Sequence, residues 1–160
     1  MKSATVQELK GELSELKPKE LVNLCLRLAR FKKENKELLT YLLYEAGDEA
    51  GFIRSVQIEV DELFQEINQS HLYFAKKSLR KIARIISKYC RYSGQKATEV
   101  DLRIYFCQKL HDSGIPVVPN PVIRNLYQGQ LKKARTLLKA LHEDIQYDYE
   151  RQLEKLEKAY

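Results

Sequence analysis

Three of the chain's four prolines are crowded into one stretch, SGIPVVPNP at 113–121, and the fourth is Pro18. Proline fixes its own φ, removes a backbone donor and pushes the residue before it out of the helical region. Outside that stretch little stands against helix, and apolar residues recur at helical spacing almost throughout. Glycine is also scarce, with six in 160 residues, whereas all-β folds need many turn residues. The fold class that follows is all-α. About seven helices with short connections are expected to pack as antiparallel hairpins, in a compact bundle or a short HEAT-like stack. A chain of this length fits one domain, 1–160, and buries enough surface to need no disulfide or metal.

Thr5 with Glu8 reads as a capping box ahead of Val6, Leu9, Leu13 and Leu16. Pro18 suits the first position of a second helix. That helix is apolar on most sides, through Leu21, Val22, Leu24, Cys25, Leu26, Leu28, Ala29 and Phe31, with a narrow polar stripe at Asn23, Arg27 and Arg30. Such a helix is expected at the centre of the fold. A third is expected from near Lys36 to Ala46, with Leu38, Leu39, Leu42 and Leu43 facing inwards and Gly47 as its stop. A fourth runs from about Glu49 to Asn68. A fifth, capped by Ser70, reaches about Tyr92, and Thr98 caps a sixth. Asn120 and Pro121 read as N-cap and first position of a last helix. Its stripe either continues towards Tyr160 or breaks near His142, and its charged final turns, about 150–160, are free to fray or project.

The opening residues lack the apolar core of a secretory signal, and no run of about 18 apolar residues occurs, so neither export nor a membrane span is expected. Cys25, Cys90 and Cys107 lie in apolar patterns without a framework spacing. They read as reduced core thiols of a cytoplasmic protein. His71, His111 and His142 form no HxxxH or HExxH arrangement. Cys107 and His111 share a helix face at i, i+4, but zinc wants about four ligands and no second pair accompanies them. Glu59, Glu62 and Glu66 share a face without the Glu-x-x-His of a di-metal bundle. There is no G-x-S-x-G turn and no glycine-rich loop to cradle phosphate. The sequence therefore points to no catalytic residue, metal or cofactor.

The opening VQELKGELSELKPKELVNLCLRLARFKKENKELLTYLL resembles the N-terminal half of an uncharacterised bacterial family of small all-helical proteins, a domain of unknown function. The shared pattern is an ELK-type first helix, a KEL opening the second, a Lys-rich joint and a YL-containing third. FAKKSLRKIARIISKYC and VDLRIYFCQKL resemble the family's middle, so the likeness covers roughly the first 110 residues. It implies an all-helical fold and no known activity.

Charge distribution carries the sharpest functional signal. From Glu45 to Glu66 there are seven acids and one base, Arg54, whereas from His71 to Ala97 there are eight bases and no acid. Lys77, Lys81, Arg84, Lys88 and Arg91 fall on one helical stripe, a candidate basic surface for tracking phosphates. The opposing expectation is that the acidic fourth helix folds onto the basic fifth and neutralises it. Ten tyrosines supply rings that either pack at apolar edges or make an adhesive groove. In the proline stretch, Ile115, Val117 and Val118 form a candidate partner-contact loop, with pinning to the bundle as the favoured reading. The leading function is a non-catalytic module that binds another protein. The alternative is weak, sequence-nonspecific nucleic-acid binding through the basic helix.

Overall fold

Local hydrogen bonds set where the helices begin. In the computed structural model, which describes residues 2–160, Glu8 N–H donates to Thr5 Oγ1 at 3.3 Å and Thr5 N–H donates to Glu8 Oε2 at 2.7 Å. This reciprocal box opens α1 (Val6–Ser14), and the Thr5 N–H and the Thr5 hydroxyl, both donating to Glu8 Oε2, hold the Glu8 carboxyl below its usual range. Pro18 opens α2 (Pro18–Phe31). Lys32 is extended, with φ −142° and ψ 144°, so α3 (Lys33–Thr40) starts earlier than the periodicity suggested. Asn35 Nδ2 reaches back 2.8 Å to the Leu28 carbonyl and satisfies one of the open acceptors at the end of α2. The backbone then widens into a π-helical turn, Tyr41–Glu45, where a continuous α-helix to Ala46 was expected.

The contacts divide the described chain into two compact units, Met1–Tyr44 and Glu45–Tyr160. The second unit holds α4 (Glu49–Gln65), α5 (Leu72–Ser93), α6 (Lys96–Asp112), α7 (Pro121–Leu138) and α8 (Glu143–Glu157). The described residues thus form eight helices and no strand. The extra helix arises at the break near His142: Leu141 N–H turns back to the Leu138 carbonyl, and His142 Nδ1 accepts from Asp144 N–H at 3.4 Å. Two expected caps are corrected. The Ser70 hydroxyl donates to Asn68 Oδ1 at 2.6 Å, and α5 begins after His71 with no side-chain cap. Thr98 lies inside α6, buried, with its hydroxyl on Glu49 Oε1 at 2.5 Å. Asn120 and Pro121 open α7 as read, Asn120 Oδ1 accepting from Val122 and Ile123 N–H.

The core of the second unit is built around α6, which contacts α4, α5, α7 and α8. Val100, Leu102, Ile104, Phe106, Cys107 and Leu110 are all buried and cover more than half of its circumference. α4 and α5 are antiparallel, since Glu59 meets Tyr89 and Glu49 meets Ser93. α6 and α7 are antiparallel too, with Arg103 on Gln130 and Cys107 on the Tyr127 carbonyl. α8 is docked rather than projecting. Leu153 and Leu156 are buried, Tyr127 Oη donates to the Leu156 carbonyl at 2.8 Å, and Arg135 pairs with Glu150 and Glu157.

In the first unit, the expectation for α2 is overturned. Among the described residues, no side chain of α1, α2 or α3 is buried. α2 is not the central helix, Leu42 and Leu43 face solvent, and Cys25 is exposed. The reason is structural. An α-helix that is apolar all round needs neighbours on several sides, and inside this unit α2 has only α1 and α3.

Candidate functional site

One surface, on α5, and one loop carry the sequence-derived candidates, and a second surface lies outside them. An exposed apolar surface belongs to α1–α3. Leu9 and Leu13 of α1 and Leu24, Leu28 and Phe31 of α2 line an open groove, with Phe31 77% exposed and Leu28 52% exposed. Cys25, Ala29, Leu38, Leu39 and Leu42 line a second depression between α2 and α3. Beside these run cations: Arg27 borders the groove, and Arg30, Lys32, Lys33 and Lys36 line the opposite side of the hairpin. Sequence reasoning missed this surface because apolar density was taken as evidence of burial.

The basic candidates sit on the outer face of α5. Lys77, Lys81, Arg84 and Arg91 are exposed, and Arg80 is exposed beside them. Among the described residues none of these five is in an ion pair. Lys88 is half-buried, its ammonium 4.8 Å from the Tyr89 ring centre and 5.8 Å from that of Tyr92. The opposing expectation, that α4 neutralises α5, does not hold at Lys77, Lys81 and Arg84, which are in no ion pair among the described residues. Glu59 accepts the Tyr89 hydroxyl at 2.5 Å, and Glu62 and Glu66 lie exposed without a lysine or arginine of α5. The acids of α4 are instead used inwards: Asp61 accepts Tyr105 Oη at 2.6 Å and pairs with Lys109 at 3.0 Å, and Glu49 holds Ser93 and Thr98.

The proline loop divides. Ile115 and Val117 are buried in the core, whereas Val118 is 53% exposed. Of the three candidates only Val118 is open to a partner. Gly114, at φ 70°, sets the turn that leads into the loop.

Cys107 and His111 are not brought together. Cys107 Sγ is sealed in the core against the Tyr127 carbonyl, at 3.8 Å, and burial drives its thiol pKa far up. His111 is exposed and contacts Tyr160 Oη at 3.2 Å. Cys90 is also buried, and loss of solvation pushes its thiol up to about 12. A thiol held protonated is a poor nucleophile and a poor metal ligand.

The polar interior was not visible from sequence. Arg103, 4% exposed, donates Nε to Glu99 Oε1 at 2.8 Å and reaches Gln130 Oε1 on α7. Asp101 accepts from Gln57 at 2.9 Å and from Tyr149 at 2.9 Å. Among the described residues every buried side-chain polar atom has a partner. No protein-family model, curated protein or solved structure matches this chain.

Proposed function

We propose that this chain is a non-catalytic interaction module that engages another protein through the apolar faces of α1–α3. The observation that carries the reading is the absence of any buried side chain in these three helices, although most of α2 is apolar. Soluble monomers seldom leave contiguous apolar patches of more than a few hundred Å² in water. Leu24, Leu28 and Phe31 share one exposed face of α2, and Leu9 and Leu13 of α1 extend it across the groove. A groove between two helices takes a third amphipathic helix. Arg27, which borders the groove, favours Asp or Glu on the adjoining flank of that helix.

The test is a photo-cross-linker placed at Phe31 of the full chain, expressed in its native host. The expected product is a second protein, cross-linked through an amphipathic helix with an acidic flank. Leu24→Asp with Leu28→Asp abolishes that product while the melting transition of the α4–α8 bundle stays in place. Cross-links that return only to another copy of this chain contradict the reading. So does a partner retained at full yield by the double variant.

A further inference from the structure

We infer that the outer face of α5 binds single-stranded nucleic acid, with the phosphodiester backbone along its row of cations and a base stacked on Tyr73. This rests on different residues from the α1–α3 surface and stands or falls separately. Tyr73, Lys77, Arg80, Lys81, Arg84 and Arg91 follow one another at helical spacing on the face opposite the buried Leu79, Ile82 and Ile86. At 1.5 Å per residue, the row from Lys77 to Arg91 is about 21 Å long. No acid occurs anywhere on α5, and its five exposed cations carry no ion pair among the described residues. Their field therefore faces solvent undiminished by any salt bridge of their own. Tyr73 is 69% exposed and meets Phe74 in a T-shaped contact, ring centres 5.5 Å apart, which leaves most of its ring in solvent as a platform for a base.

The same geometry selects among polyanions. α5 packs on α4, α6 and α7, so it lies flush in the bundle surface and cannot slide into a duplex groove about 12 Å wide. Its apolar face is in the core, so it cannot sink into a lipid interface as an amphipathic membrane helix does. A flexible single strand laid across the face reaches both the cations and the ring.

The experiment is fluorescence anisotropy on the full chain with labelled uridine and deoxythymidine oligomers of about 15 nucleotides. A duplex of the same length and phosphatidylserine-containing vesicles are the comparison probes. Single strands are expected to bind most tightly, with log K falling against log salt with a slope of about −3.5 for five neutralised phosphates. Lys81→Glu with Arg84→Glu is expected to weaken binding at least about tenfold at low salt. If that variant is destabilised, Lys81→Gln with Arg84→Gln replaces it, with the same sign expected. Tyr73→Ala is expected to weaken binding about fivefold or more while leaving the salt slope unchanged. The inference is overturned by no single-strand binding at low salt, by tighter binding to duplex or vesicles, or by a folded charge variant that binds like the wild type. A Tyr73→Ala variant of unchanged affinity overturns the stacking assignment.

Discussion

At Arg103 a full positive charge sits inside the bundle, and the tolerance of that burial depends on Glu99 and Gln130. Removing one partner of a buried pair leaves the other charge uncompensated, which costs more than the pair's net contribution. Glu99→Ala is therefore expected to destabilise the protein by about 3 kcal/mol in denaturant titration. A loss below about 0.5 kcal/mol, the scale of a surface pair, would contradict this assignment. Proton linkage at other buried and half-buried residues acts at alkaline pH. Tyr105, Tyr127 and Tyr149 are each raised above the usual phenol value, first by burial and then by the groups they face, Asp61 for Tyr105 and Asp101 for Tyr149. Cys90 and Cys107 are raised by burial as well. For each, the unfolded chain releases its proton first, so the folded state loses stability as pH climbs past the unfolded value, about 8.5 for thiols and about 10 for tyrosines. The melting temperature is expected to be insensitive to these groups below about pH 8 and to fall steadily above about pH 9. A melting temperature that rises over that alkaline range would contradict the burial of these side chains.

Among the elements, the proline loop separates two roles that the sequence presents as one. Val117 is 1% exposed and Val118 is 53% exposed, although they are adjacent and chemically identical. Val117→Asp buries a carboxylate without a partner and is expected to cost about 3 kcal/mol or more. Val118→Asp is expected to stay within about 0.5 kcal/mol of the wild type. Equal effects of the two variants in thermal melts would contradict the placement of the loop. Elements were legible where their determinants are local. Thr5 with Glu8, and Asn120 with Pro121, act within three residues, and both helix starts are as read. Ser70 and Thr98 look like caps by the same rule, but their hydroxyls are taken by Asn68 and by Glu49, the latter 49 residues away. The central helix was misassigned for a related reason. α6 carries Glu99, Asp101, Arg103 and Lys109, and reads as half polar. Its charges are matched by Gln130, Tyr149, Gln57 and Asp61, residues far away in the chain, so it is buried despite them. α2 reads as buried because it is apolar, yet no second layer covers it.

For the molecule as a whole, the two units divide the work differently. Glu45–Tyr160 has a closed apolar core and a satisfied polar interior, and among the described residues Lys77, Arg80, Lys81, Arg84 and Arg91 of α5 are in no ion pair. The candidate cations could be read from the sequence because a stripe opposite an apolar face is necessarily exposed. That Lys77, Lys81, Arg84 and Arg91 are in no ion pair among the described residues could not, because it depends on where the acids of α4 turn. The first unit presents apolar helices without a core, and its Cys25 lies in the depression lined by Leu28, Leu38, Leu39 and Leu42. The accessibility of that surface is the central claim, and Cys25 reports on it. The measurement is the rate of thiol labelling at each cysteine of the native, isolated chain. One thiol, Cys25, is expected to react about as fast as in the denatured protein, while Cys90 and Cys107 are slow until unfolding. Native labelling of Cys25 as slow as that of Cys90 and Cys107 would mean that the α1–α3 face is covered, and would contradict the proposed function.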